Sequence, residues 1–258
     1  MKILQYNILD GCKNEKRYKN LSNWIKKRDL DVLALNELNG WNLREFQREM
    51  DRIGFANSYM FEMESSPYYV GVASKEPIKV INQLEDCPVY HGLLHVKISG
   101  INFIIVHLTP FESKKREVEV KNIIEYTEDI KEPVILIGDF NSLASSDKNY
   151  YQANDAYNKI LRSDILTNQH ILNNKINYGP MDLLLKNNFV DTYNKKFKHT
   201  IPTKINSDSP NRNLLRIDYI LCNNYTSNVY NYDCDIIHSK KTDKLSDHYP
   251  VYCELRKK

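Results

Sequence analysis

Six short motifs in this 258-residue chain set acids, amides or imidazoles at or just beyond the ends of apolar runs. They are Gln5-Tyr6-Asn7, Ala34-Leu35-Asn36-Glu37, Ile105-Val106-His107-Leu108, Ile137-Gly138-Asp139-Phe140-Asn141, Arg216-Ile217-Asp218-Tyr219-Ile220 and Leu245-Ser246-Asp247-His248-Tyr249-Pro250. Carboxylates offer hard oxygens to a divalent cation or accept a proton, and imidazoles donate to developing negative charge. Each motif alone has an ordinary structural explanation. Asn7 closes a turn, Glu37 is a solvated strand end, and His107 is a hydrogen-bonded core histidine. Asp139 caps a turn, and Asp247-His248 opens a helix or braces a loop. Asp218 is harder to explain so, because an acid inside Ile-Asp-Tyr-Ile-Leu is partly buried and needs a partner.

The elements that must carry these residues are legible as hydrophobic runs. Strand-like segments are Lys2–Asn7, Asp31–Asn36, Tyr69–Ala73, Ile78–Gln83, Leu93–Ile98, Ile101–His107 and Pro133–Gly138. Further on come Ile217–Cys222, Val229–Ile236 and Val251–Leu255. Leu21, Trp24 and Ile25 share one helical face, and Phe46, Met50 and Ile53 another. Ser113 reads as the N-cap of a helix burying Val120, Ile123 and Ile124. Single helices between groups of strands predict two packed sheets with helices outside. The Asn-rich segment 150–209, with helices expected at Ala153–Leu166 and Met181–Asn187, reads as a surface insertion.

Composition bounds the rest. With 41% hydrophobic and 27% charged residues and no repeat or linker, one folded domain over 1–258 is expected. A mean hydropathy of −0.57 and strand-length apolar runs exclude a helical membrane protein. The start lacks the pattern of a secretory signal, and five cysteines show no paired spacing. A cytoplasmic setting, with no integral membrane association and no disulfide framework, is the expectation. A net charge of +3 is too small to announce nucleic-acid binding by itself.

Taken in order along the chain, the six motifs closely resemble those of the endonuclease/exonuclease/phosphatase superfamily, the deoxyribonuclease I-like fold, from Asn7 to His248. The resemblance implies an α/β fold, a four-layered α/β/β/α sandwich of two mostly antiparallel sheets with outer helices. It implies a metal-dependent phosphoesterase that hydrolyses phosphodiester bonds by attack of a metal-organised water. Glu37 then holds Mg²⁺, or Mn²⁺ in its place, with Asn7 and Asp247 close by. Asp139 orients or deprotonates the water, and Asn141 holds a phosphate oxygen. His248 donates to the phosphate, and Asp218 fixes its tautomer. His107 matches the histidine of the deoxyribonuclease I-like and phosphatase branches, which weighs against a dedicated abasic-site role. Asn36 stands where many relatives have Gln.

The motifs specify a reaction and leave the substrate open. Lys114, Lys115, Arg116, Lys195, Lys196, Lys198, Lys240 and Lys241 flank the site segments and interleave with tyrosines, which favours DNA or RNA as substrate; a monomer is expected. The alternatives are a phosphatase or phosphodiesterase of inositol phosphates or phospholipid headgroups, and a non-catalytic binding module on the same fold.

Overall fold

The structure is a computed structural model and describes residues 1–85, 89–205 and 213–258, so Cys87 and the end of segment 150–209 lie outside it. Strands β1 (Lys2–Asn7), β2 (Val32–Asn36), β3 (Asn57–Phe61), β4 (Val70–Ser74), β13 (Tyr230–Ile236) and β14 (Val251–Lys257) build one sheet, ordered β13-β14-β1-β2-β4-β3. The second sheet, β11-β12-β8-β7-β6-β5, contains β5 (Ile78–Leu84), β6 (Leu93–Ile98), β7 (Ile101–His107), β8 (Val134–Asp139), β11 (Phe189–Asp191) and β12 (Asp218–Asn223). A small hairpin, β9 (Ile171–Leu172) with β10 (Lys175–Ile176), stands apart. In each six-stranded sheet the central pair is parallel, β1 with β2 and β7 with β8, and the remaining pairs are antiparallel.

Side-chain alternation along these strands decides the layers. Ile3, Val32, Ala34, Phe103, Ile105, Ile135, Ile137 and Ile220 meet between the sheets. The intervening Leu4, Tyr6, Leu33 and Leu35 face outward onto α1 (Glu15–Lys26) and α2 (Leu43–Ile53). Ile104, Val106, Leu136 and Leu221 face α3 (Ser113–Glu128) and, beyond three short helices α4 (Lys148–Ala153), α5 (Ala156–Ile160) and α6 (Asp164–His170), α7 (Gly179–Lys186). A last helix, α8 (Asn224–Val229), follows β12. Helices α1 and α2 start where Asn14 and Asn42 accept hydrogen bonds from the N–H groups of Arg17 and Glu45. Helix α2 stops at Gly54, whose φ of 108° suits a residue without Cβ. No described helix is long and apolar enough to cross a membrane.

Three expectations need correction. Ser113 is the first residue of α3 and makes no cap; Glu112 precedes it in extended conformation. The stretch expected as one helix from Ala153 to Leu166 is broken, because Asp155 takes a left-handed φ of 52° and Ser163 caps a new helix through Leu166 N. The described part of segment 150–209, residues 150–205, is no surface insertion. Tyr151 and Ile160 build a small core with Leu143, Leu215 and Ile217, and β11 completes the second sheet.

Candidate active site

The same alternation that builds the inter-sheet core delivers the polar residues. Gln5 and Asn7 continue the row of Ile3, Asn36 that of Ala34, and His107 that of Ile105. Asp139 continues the row of Ile137, and Asp218 that of Ile220. At one end of the sandwich the facing rows change from apolar to polar together. Register aligns them further: Asn7 lies opposite Asn36, and Asp139 lies between His107 and Asp218.

Most of the buried polar atoms so placed satisfy one another across the two sheets, while Gln5 Oε1 and His107 Nδ1 find no partner among the described residues. Asn7 Nδ2 donates to Glu37 Oε1 at 2.9 Å and to Asp139 Oδ2 at 3.1 Å, while Asn7 Oδ1 accepts from Leu9 N. Asp10 N donates to the second Glu37 oxygen at 2.8 Å. His248 Nδ1 donates to Asp218 Oδ2 at 2.8 Å, and its Nε2 lies 3.8 Å from Asp139 Oδ2. His107 Nε2 lies 3.6 Å from that same Asp139 oxygen. Asn141 N donates to Asp139 Oδ1, and Asn141 Nδ2 spends one hydrogen on Leu108 O. All eight residues singled out by the motifs belong to one neighbourhood, with Asp247 entering through its charge on Glu37 and His248.

Two of them sit in strained backbone. Glu37 has φ 61° and Asn141 φ 47°, each where a strand gives way to a loop. Non-glycine residues hold that conformation only when their surroundings fix it. Gly138 is compelled more strongly: a Cβ there would lie 1.9 Å from Val106 O, so only glycine lets β8 approach β7.

The electrostatics divide the imidazoles. Burial works against a charge on His248, but Asp218 and Asp139 outweigh it and hold the ring protonated well above the usual histidine range. Burial keeps His107 neutral, with His91 and His248 pushing the same way. Asp139 rises to about 7, first through burial and then through the Asp218 charge. Glu37 is raised by burial, which its bonds from Asp10 N and Asn7 only partly offset, and Asp247 adds to the rise. Among the described residues, no lysine or arginine pairs with Glu37, Asp139 or Asp218. Asp139, Asp218 and His248 bring ligand atoms within 4.8 Å of one another, a grouping able to hold a metal ion.

Several supporting residues carried no functional reading in the sequence. Gln5 Nε2 bridges Asp218 Oδ1 and Asn36 Oδ1 at 2.9 and 3.1 Å. Asn36 ties the sheets by accepting from Asp139 N and donating to Val106 O. Ser246 Oγ donates to Asn7 O. Thr200 Oγ1 accepts from Ile217 N and Asp218 N, and Thr203 N donates to Asp247 O. A signal existed for Gln5, a polar residue inside an apolar strand; none existed for the threonines, whose part rests on distant contacts.

Residues 4–248 match the family model of the Endonuclease/Exonuclease/phosphatase family. The chain belongs to this family. Solved structures agree in fold. An AP endonuclease from Archaeoglobus fulgidus superposes with a TM-score of 0.71 at 20% identity, covering 99% of both chains. A 3′ phosphatase from Neisseria bound to product DNA hairpin gives 0.71 at 19% identity, again over 99% of each. An endonuclease/exonuclease/phosphatase from Bacteroides vulgatus gives 0.64 at 15% identity, over 100% of this chain and 98% of that one. No curated protein matches. The α/β sandwich read from the sequence is therefore the family's fold.

Proposed function

We propose that this family member is a Mg²⁺-dependent phosphodiesterase acting on nucleic acid, with residues 1–258 working as one catalytic domain. The observation that carries the reading is His248, held protonated by Asp218 and facing Asp139 across 3.8 Å. A phosphate entering beside Nε2 would meet a fixed positive donor, as transfer to phosphorus requires. Asp139, titrating near 7, is suited to orient water and accept its proton. Asn141 keeps one amide hydrogen for a phosphate oxygen, since only the other is spent on Leu108. Neutral His107 flanks Asp139 from the other side and can donate to a second oxygen.

The residues present fit a divalent cation better at Glu37 than within the Asp139–Asp218–His248 group. In that group His248 Nδ1 is committed to Asp218 and the ring is protonated, so it offers no lone pair. Glu37 is a half-buried carboxylate raised further by Asp247, and among the described residues no lysine or arginine pairs with it. Asn7, whose Oδ1 keeps acceptor capacity beside its bond from Leu9 N, lies next to it. Mg²⁺ or Mn²⁺ held there would bring positive charge to the phosphate.

Support for nucleic acid comes from a narrower basic surface than the sequence suggested. Arg116 is buried and braces Thr109 O and Ser142, while Lys115, Lys195 and Lys198 pair with Glu112, Asp233 and Asp235. Lys240 and Lys241, however, line an open groove with Lys27, Lys244 and Trp24. The groove reaches Leu245, one residue before Ser246-Asp247-His248. Clustered cations suit a polyanion. The relative from Neisseria that holds product DNA points the same way. The test is hydrolysis of single- and double-stranded DNA, RNA and phosphoinositides with and without chelator, with Mg²⁺ binding to Glu37→Gln followed by calorimetry. Oligonucleotide cleavage lost in chelator, and weaker metal binding by Glu37→Gln, are expected. Full activity in excess chelator, or phosphoinositide hydrolysis without nuclease activity, overturns the proposal.

A further inference from the structure

We propose that Tyr90 and Phe111 form a ledge on which a nucleobase next to the scissile phosphate stacks; this rests on the nucleic-acid reading above. From Asp139 a continuous series of rings runs outward. His107 Nε2 is 3.6 Å from Asp139 Oδ2. His91 lies against His107, with centroids 4.5 Å apart and planes inclined by 31°. Tyr90 packs edge-on to His91 at 4.6 Å, and Phe111 packs edge-on to Tyr90 at 5.3 Å. Tyr68 touches the same series, 4.9 Å from His91. His107 and His91 are buried and Tyr68 half-buried, but Tyr90 is 48% and Phe111 51% exposed. The series therefore opens most widely to solvent at its outer end, where two large rings touch each other.

Two exposed rings are ordinary; two exposed rings anchored from below are not. The buried carboxylate of Glu119 accepts from Tyr90 N at 2.6 Å and from Thr109 N at 3.0 Å. It thus clamps the turn that carries Tyr90 to the loop that carries Phe111. Arg116, one helical turn away on α3, donates to Thr109 O at 2.9 Å and to Ser142 Oγ at 3.0 Å. The loop that follows Asn141 is tied into the same frame. Burying an acid and a guanidinium is costly unless their hydrogen bonds fix something in return. Here they fix the ledge relative to Asp139 and Asn141, and such fixing lowers the ordering cost of binding.

The chemistry of this wall suits a flat uncharged ring and not a phosphate. Ser66 Oγ bonds His91 Nδ1, and burial holds His91 down at about 4, so His91 is neutral where His248 is charged. With neutral His107 behind it, neither imidazole on the aromatic side of the site competes with His248 for the phosphate. Every base presents a π-face, so the ledge adds binding without demanding a sequence.

The test uses oligonucleotides of equal length in which one nucleotide flanking the cleaved bond carries either its base or a tetrahydrofuran abasic analogue, placed on each side in turn. For the wild type, base removal on one side should lower kcat/KM about ten-fold, the effect of one lost base–aromatic stack. The double variant Tyr90→Leu, Phe111→Leu should lose that factor on the base-bearing substrate and nothing on the abasic one. Both side chains are exposed, so the melting temperature should not change. Equal losses on the two substrates, or none on either, overturn the ledge while leaving the nuclease reading intact. Failure of the wild type to cut any oligonucleotide overturns the nuclease reading and the ledge with it.

Discussion

Asp218 presents one carboxylate oxygen to His248 Nδ1 at 2.8 Å and the other to Gln5 Nε2 at 2.9 Å, so both of its oxygens are engaged inside the sandwich. Thr200 Oγ1, accepting from Asp218 N, fixes its backbone as well. An acid tethered at three points orients its partner instead of wandering from it. If Asp218 acts only through His248, the two substitutions are non-additive. His248→Ala with Asp218→Asn should be scarcely slower than His248→Ala alone. Rates and melting temperatures of both single variants and the double check this. Losses that simply multiply would show Asp218 acting on its own.

Asp139 and His248 together set the pH dependence. Asp139 gains its charge as pH rises through about 7, and His248 stays protonated well beyond the ordinary histidine range. Activity needing ionised Asp139 and protonated His248 should climb through neutral pH and fall only on the alkaline side. Asp139→Asn should cost ~10²-fold or more, the usual worth of a general base. It should also flatten the acid limb of kcat/KM between pH 5 and 8. A variant that keeps the acid limb would assign that titration to another group.

How far the sequence could be read follows from which forces were local. Ten strands were visible because their burial is written into the run itself. Asn57–Phe61 escaped because its first three positions are only half buried, and Phe189–Asp191 because three residues carry no period. The six motifs were legible because chemistry-bearing types stand at strand ends, and the strand period then points them inward together. The roles of Gln5, Asn36, Thr200 and Thr203 were not, since each is defined by a partner in a distant segment. The lysine pattern misled for the opposite reason. Arg116 looks like surface charge in sequence, yet it lies on the inner face of α3 and spends its donors on loops.

Glu119 supplies a stability prediction. Burial raises its carboxyl from 4.5 to about 7, although Tyr90 N and Thr109 N favour the charged form. The folded state therefore holds this proton more tightly than the unfolded chain does. The stabilisation is complete below the unfolded pKa of 4.5 and is lost as pH rises through about 7. The difference corresponds to ~3 kcal/mol across that window. Glu119→Gln, which keeps an acceptor without the charge, should remove this slope. Melting temperatures of wild type and variant from pH 4.5 to 8 should converge at the acid end and separate in the variant's favour at neutral pH. Parallel curves would show that Glu119 does not titrate there.

Gly138 tests whether the approach of β8 to β7 positions the site. Its φ of 150° disfavours a side chain, and a Cβ would meet Val106 O at 1.9 Å, too close for any rotamer to relieve. Val106 O also accepts from Asn36 Nδ2, so displacing it would disturb the link between the two sheets. Gly138→Ala must push β8 away from β7, carrying Asp139 with it and away from His107, its register partner. Gly100 is the matched control. It lies in the tight turn between β6 and β7 with φ 81°, and nothing stands within 4 Å of its Cβ position. Gly100→Ala should cost only the conformational strain, on the order of 1 kcal/mol, with turnover unchanged. Gly138→Ala should cost several kcal/mol, as overpacking against backbone does. What remains folded should turn over more slowly per molecule, because the separation of Asp139 from His107 and Asn7 has changed. Urea titrations give the two stabilities, and rates measured at 4 °C on the folded fraction give the second comparison. Equal destabilisation by the two substitutions would mean that the strand approach is relieved elsewhere in the sheet. Full turnover by folded Gly138→Ala would mean that the site tolerates the shift of Asp139.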